Sequence, residues 1–331
     1  MNIYCTVSID TECDQGSHWK LIKPMRFTSI TDLIPHTLQK VFLRHNVRPT
    51  YLLSPEVLED RSSVEVLRSL SNVELGSHLH GEFVEPFKKP VGDSISDFQA
   101  MYSPEIEAAK LANLTRRFEE KIGFKPRCFR AGRWGISPHS FKILEDLGYL
   151  VDSSVTPYFI WKFPEYSLNY KIVPDAPYFP SMENFMAPGN MRLLQVPVTL
   201  FSQYGSFLNR YSPHWPRSAR KILTKLPLWR PVWLRPTFSD YQQMKYVIDS
   251  HIDSHRDEED IVLNMMFHSV EILPDENPYN FDKDRIRVFL ESMEETFDYL
   301  LSRGAHFAGL SDVYPIFEKK RSKINDKAGS G

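Results

Sequence analysis

Short β-branched and aromatic runs alternate along the chain with longer stretches of helical period. Residues 3–9, Ile-Tyr-Cys-Thr-Val-Ser-Ile, read as a first strand that runs into the acidic cluster Asp10-Thr11-Glu12-Cys13-Asp14. From Ile30 to Arg44 the apolar positions Leu33, Ile34, Leu38, Val41 and Phe42 recur at helical spacing, and 48–53 reads as a second strand. A short helix over 64–70 leads to a third strand at 73–78. The spacing predicts a long amphipathic helix over 104–122, with Pro104 at its start and Gly123 just past its end. A strand over 127–130, a helix over 138–147 stopped by Gly148 and a strand over 149–152 follow. Further on come a helix over 241–254, the very apolar strand 261–267, a helix over 285–303 and a last strand over 306–310. Between 156 and 236 the rhythm breaks into a stretch rich in Pro, Tyr, Phe and Trp, whose aromatics form either a satellite core or a substrate wall.

Strands alternating with helices indicate βα units around a parallel sheet or barrel. Each polar cluster falls at the carboxyl end of a strand, where such folds keep their chemistry. The expected organisation is one domain over 1–317, elaborated at about 156–236, with a frayed tail over 318–331.

Composition narrows the class. Hydrophobic residues make up 42% and charged residues 25% of the 331, as in an ordinary folded protein. A formal charge of -2 provides no global field for nucleic acid or an anionic membrane. No apolar run approaches the ~20 residues of a membrane span. The N-terminus enters a strand without a secretory signal, and three scattered cysteines suit no disulfide framework, so the expected compartment is the cytoplasm.

Four clusters carry candidate chemistry. Asp10 and Glu12 stand two apart at a strand end and can face the same side. Two carboxylates held together repel unless a cation lies beside them, so Glu12 as a metal ligand would leave Asp10 as a base; a solvated acidic turn is the structural alternative, and Asp14 is a further candidate ligand. His78 and His80 share the same spacing on an extended segment, which suits ligation of a divalent metal with open positions for water and substrate. Arg130 and Arg133, around Gly132, suit a guanidinium that keeps a catalytic carboxylate ionised, or simply a surface pair at a glycine turn. Asp152 either receives one of those arginines or caps the next turn. His268 ends the most apolar strand, followed by Ser269 and Glu271, and suits a general acid near neutrality. The other histidines, among them His251 and His255, lack such company and read as background.

Taken in order, these segments resemble the polysaccharide deacetylase family (NodB-homology, carbohydrate esterase family 4), in the branch often met in bacterial surface-polysaccharide gene sets. Ser8-Ile9-Asp10-Thr11-Glu12 resembles its first motif, Glu74 to His80 the second, Phe129 to Gly135 the third and Met266-Phe267-His268-Ser269 the last, while Asp152 falls near the fourth. The resemblance spans about 3–312. It implies a distorted (β/α) barrel, commonly seven-stranded, with one divalent metal, usually zinc, held by Glu12, His78 and His80. It makes Asp10 the base, Arg130 the residue that orients it and His268 the acid, and it assigns Arg133, Trp134 and Asp152 to substrate contact. The implied reaction removes an N-acetyl group from an amino-sugar unit of a polysaccharide or of its nucleotide- or lipid-linked precursor. Two positions depart from the family pattern. Thr11 stands where a metal-binding aspartate is usual, and histidines spaced four apart would pair His78 with Glu82, which makes Glu82 an alternative ligand to His80. Competing readings are a deacetylase-like scaffold that binds glycan without catalysis and a metallo-hydrolase of the amidohydrolase type. That last type normally carries its His-x-His after the first strand rather than the third.

Overall fold

The computed structural model describes residues 1–87, 98–163, 166–211, 222, 225–226 and 228–329. Parts of the aromatic stretch (164–165, 212–221, 223–224 and 227) and the last two residues of the tail lie outside the described residues. Eight strands form the central sheet: β1 (Asn2–Thr11), β2 (Pro49–Leu53), β3 (Glu74–Leu79), β4 (Cys128–Ala131), β5 (Val151–Asp152), β6 (Leu194–Gln195), β7 (Asp260–His268) and β8 (Ala305–Phe307). Their order is β6-β5-β4-β3-β2-β1-β7, with β8 beside the N-terminal half of β1, and every pairing is parallel. The seven-strand path curls into the distorted (β/α) barrel expected from the sequence.

Strand alternation gives this sheet two kinds of face. Ile3, Cys5, Val7 and Ile9 of β1 pack outward into the main core with Ile34, Leu38, Phe42, Phe289 and Phe297 from the surrounding helices. Each large side chain buried there contributes ~1.5–3 kcal/mol. On the inner face Leu52, Cys128, Val151, Leu194 and Val262 form a second cluster, closed at the amino-terminal end of the strands by Leu310, Val313 and Tyr314. The opposite end of the inner face is polar, and the candidate site lies there.

The helix Pro104–Ile122 matches its prediction because its signals are local. Ser103 Oγ accepts from Ile106 N at 3.4 Å, Pro104 occupies the first turn, and Gly123 closes the helix at a φ of +97°. Helix Tyr241–Ser254 starts from Asp240, whose carboxylate accepts from Gln243 N at 2.9 Å. Elsewhere the structure departs from the prediction. The segment expected as one helix from Ile30 to Arg44 is π-helical over Ser29–Leu38 and α-helical only over Gln39–Arg44. Pro35 lies inside it, and a wider turn relieves the clash of its ring with the carbonyl four residues back. A short helix, Pro55–Glu59, was not foreseen.

The aromatic stretch is more than an appendage to the barrel. It supplies β6, and it bridges the seam toward β7: Val196 N donates to Asp152 O (2.8 Å), Val198 N to Val155 O (3.0 Å) and Thr199 N to Asn264 O (3.0 Å). A two-residue strand is too short to show alternation, which is why the sequence did not reveal it. Helix Tyr314–Gly329 enters the segment expected as a tail. Lys320 Nζ pairs with Asp260 Oδ2 at 2.9 Å and Arg321 donates to Met191 O at 2.7 Å, and these contacts anchor the helix to the barrel. No helix among the described residues is long and apolar enough to cross a membrane.

Candidate active site

The period of two that sends Ile3 to Ile9 outward turns Thr6, Ser8 and Asp10 inward, followed beyond the strand by Glu12. Parallel register then sets these residues against their counterparts on neighbouring strands. Asp10 lies opposite His268, and His78 opposite Arg130. Residues more than 250 positions apart thereby meet at the carboxyl end of the barrel.

Glu12, His78 and His80 converge on one point. Glu12 Oε1 lies 3.2 Å from His78 Nε2 and 3.1 Å from His80 Nε2, and the two nitrogens are 3.2 Å apart. His78 Nδ1 donates to Arg130 O at 2.9 Å, which leaves the Nε2 lone pair free to ligate. On His80, Nδ1 faces Glu82 Oε1 at 3.5 Å, so Nε2 is again the free nitrogen. Three acceptors this close require a cation among them. Burial opposes charging His80, yet the Glu12 and Glu82 carboxylates outweigh it and push its pKa up to about 10. A metal satisfies all three donors at once: tetrahedral bonds of about 2.0–2.1 Å separate ligand atoms by about 3.3 Å, close to the spacing seen here. The donor set therefore fits a single divalent ion.

Asp10 sits beside this cluster on a polar network. Oδ1 accepts from Arg130 Nη1 at 2.7 Å, while Oδ2 stands 4.0 Å from His78 Nε2 and 3.6 Å from His268 Nε2, beyond direct hydrogen bonding. Arg130 is wholly buried and spends its other donors on Ser153 O (2.8 Å), Ser8 Oγ (2.6 Å) and Ser153 Oγ (2.9 Å). Asn264 joins it by donating to Ser153 Oγ at 2.9 Å and accepting from Ser8 Oγ at 2.8 Å. Burial would raise the Asp10 pKa, but Arg130, His78 and His268 outweigh it and hold the carboxyl below its ordinary range. Asp10 is therefore ionised, with one oxygen fixed and the other facing the Glu12, His78 and His80 cluster.

His268 has its own support. Its Nδ1 donates to Glu271 Oε1 at 2.8 Å, leaving Nε2 turned toward Asp10. Glu271 is fully buried; Arg235 Nη2 and Thr237 Oγ1 both donate to it, and Arg235 also reaches Tyr279 OH at 3.1 Å. Despite burial, the charges of Arg235 and His268 keep Glu271 below the usual carboxylate range. A hairpin pairing Gln15–Gly16 with Lys20–Leu21 brings Trp19 against His268, with ring centroids 4.5 Å apart. Its second contact is Gln15 Nε2, which donates to Glu12 Oε2 at 2.8 Å.

Several residues singled out in the sequence make contacts of their own around this site. Asp14 stands apart from the Glu12, His78 and His80 cluster: its oxygens accept from Thr28 N (2.8 Å) and Ser29 N (3.0 Å), at the start of the π-helical segment. Glu82 lies behind His80, on its Nδ1 side, and pairs with both terminal nitrogens of Arg133. Arg133 is thus a support for the His80 orientation, with part of its side chain exposed at the rim. Trp134, assigned by the resemblance to substrate contact, is 6% exposed and packs in an aromatic cluster with Tyr158, Trp233 and Met266, with the Arg130 guanidinium 5.3 Å from its ring. Gly132, between β4 and these two residues, leaves no room for a side chain, since a Cβ would stand 2.5 Å from Leu79 O and 3.1 Å from His80 Nε2. Asp152 is wholly buried and accepts from Ser154 N (2.9 Å) and Ser154 Oγ (2.7 Å), the capping alternative, while Arg130 goes to Ser153 instead.

Burial pushes the Asp152 pKa up from 3.8 to about 7. A carboxyl raised on folding keeps its proton in the native chain where the unfolded chain has released it. Its contribution is therefore largest below the unfolded value and is lost as pH climbs toward 7, by about 4 kcal/mol in all. Asp152→Asn carries no such titration. Urea unfolding of both proteins from pH 4 to 8 should show wild type losing stability relative to the variant across that window; a constant difference would mean that Asp152 is ionised throughout.

Sequence reasoning missed Ser8, Asn264, Arg235, Thr237 and Trp19. A signal existed for the first two: Ser8 shares the Asp10 phase, and Asn264 is a lone amide within the apolar run of β7. Arg235 lies in the aperiodic stretch and Thr237 just past its end, and neither carried one.

No family model matches the chain, and no curated protein matches it in sequence. Solved structures do match in fold. A structure described as a glycoside hydrolase/deacetylase from Parabacteroides distasonis superposes with a TM-score of 0.63 at 14% identity, covering 96% of this chain and 71% of that one. A polysaccharide deacetylase structure from Pseudomonas aeruginosa gives 0.52 at 17% identity, covering 96% and 91%. A PuuE allantoinase structure gives 0.54 at 13% identity, covering 95% and 89%. Folds of this kind host more than one chemistry, so activity must be argued from the site. The chain has the distorted (β/α)-barrel fold of the polysaccharide deacetylases.

Proposed function

We propose that this protein is a metal-dependent hydrolase that removes an N-acetyl group from an amino-sugar unit of a polysaccharide or of its nucleotide- or lipid-linked precursor, releasing acetate. The observation that carries this reading is the convergence of Glu12, His78 and His80 beside two separately supported groups, Asp10 on Arg130 and His268 on Glu271. Glu12, His78 and His80 hold the ion, zinc or a similar divalent metal. When bound, it supplies Lewis acidity toward the acetamide carbonyl and makes water more acidic. Asp10 takes the water's proton through Oδ2, while Arg130 holds Oδ1 and keeps the carboxylate charged. His268 delivers a proton from Nε2 to the leaving nitrogen, and Glu271 stabilises the imidazolium through Nδ1. Trp19, against the His268 ring, limits water on that side. Arg133 and the half-buried Trp161 belong to the rim that meets the sugar. Two complete proton-transfer pairs favour turnover over a binding-only scaffold.

The test is elemental analysis of wild type and a His78→Ala/His80→Ala variant, with acetate release measured on N-acetylated sugar polymers and precursors. The variant should contain one metal equivalent fewer than wild type and release no acetate. Equal metal content, or turnover retained in the variant, would overturn the assignment.

A further inference from the structure

We infer that Asp175, His251 and His255 form a second divalent-metal site, separate from the Glu12, His78 and His80 centre. Their ligand atoms all lie within 4.8 Å of one another. His251 and His255 are four residues apart at the end of helix Tyr241–Ser254, so they share a face, and their ring centroids are 4.3 Å apart. Asp175 comes to them from the aromatic stretch.

The nitrogens of these two rings are what point to an ion. His255 Nδ1 donates to His251 O at 2.9 Å, so its free nitrogen, Nε2, faces Asp175 Oδ1 at 3.2 Å. The other Asp175 oxygen accepts from Tyr158 OH, which fixes the carboxylate. A proton on His255 would satisfy that pair alone. It would do nothing for His251, which is fully buried with neither ring nitrogen partnered among the described residues. Buried polar atoms rarely go without a partner. An ion between His251, His255 and Asp175 engages all three, and a two-imidazole, one-carboxylate set suits zinc or a similar first-row divalent metal with one position left for water. The site also lies at a helix C-terminus, where the backbone dipole favours positive charge.

Such an ion ties the aromatic stretch, through Asp175 and Tyr158, to helix Tyr241–Ser254. Tyr158 is part of the buried aromatic cluster that contains Trp134. The second site is therefore structural, clamping the elaboration that backs the active site, and it does not depend on the reaction proposed above.

The experiment uses the full chain carrying His78→Ala/His80→Ala, stripped with a chelator and then titrated with Zn2+ or Co2+ alone. About one equivalent should bind, and thermal unfolding should shift upward on metal addition. Adding Asp175→Asn, which keeps the side chain's shape and its bond to Tyr158, should weaken binding at least tenfold and abolish the thermal shift. His251→Gln should do the same; Asp175→Asn keeps the test readable if the buried His251 change impairs folding. No metal bound to the His78→Ala/His80→Ala protein, or binding unaffected by Asp175→Asn, would overturn the site. Either failure leaves the reading of the Glu12 centre intact.

Discussion

Asp10→Asn should lower turnover by about 10²–10⁴-fold, the usual contribution of a positioned general base, while leaving the metal content unchanged. The change is nearly isosteric, and Asn retains an oxygen to accept from Arg130 Nη1, the bond now measuring 2.7 Å. It removes the negative charge and the basic Oδ2. Asp10 makes no close contact with the ligand nitrogens, since Oδ2 is 4.0 Å from His78 Nε2, so ligation should survive. Steady-state acetate release and elemental analysis on the same preparation separate the two effects. Turnover within a few fold of wild type would remove Asp10 from the role of base. Metal lost together with activity would show that Asp10 is a ligand, which the distances argue against.

Arg130→Met should be the most damaging change to stability, costing about 3–5 kcal/mol, because it strands a buried carboxylate without its cation. Arg130 is completely enclosed, and its guanidinium makes four hydrogen bonds, to Asp10, Ser8 and Ser153. Methionine fills much of the same volume, so the loss reports on charge and hydrogen bonding more than on a cavity. Asp10→Asn added to Arg130→Met should recover part of the loss, since the uncompensated charge is then gone. A double-mutant cycle by urea unfolding measures that coupling, and residues in direct contact commonly couple by about 0.5–3 kcal/mol. Additive losses would mean that Asp10 is stabilised by something other than Arg130.

The two experiments probe different layers of one arrangement. Asp10 tests the chemistry at the inner face, and Arg130 tests the buried network of Ser8, Ser153 and Asn264 that fixes it. The same division applies to His268, the acid in the proposed reaction, and to Glu271 and Arg235, which hold it from behind.

The phase of the site could be read from residue order alone. A strand turns successive side chains to opposite faces whatever surrounds it, so Asp10 with Glu12 and His78 with His80 were legible as pairs sharing a side. Local signals of the same kind fixed helix 104–122, through Ser103, Pro104 and Gly123, and the position of His268 at the end of an apolar run. Tertiary structure alone decided which distant groups these residues meet. Asp14 and Glu12 look alike in the sequence, yet Asp14 is consumed by Thr28 and Ser29 whereas Glu12 faces two imidazoles. Glu82 stands on the far side of His80 because of the turn after β3, which no periodicity describes. His251 and His255 had helical spacing in plain view, but the carboxylate that completes their cluster comes from Asp175, in a segment without any period. Backbone geometry sets the direction of a side chain within one element. Its partner depends on the register and packing of segments far apart in the chain, which only the folded barrel establishes.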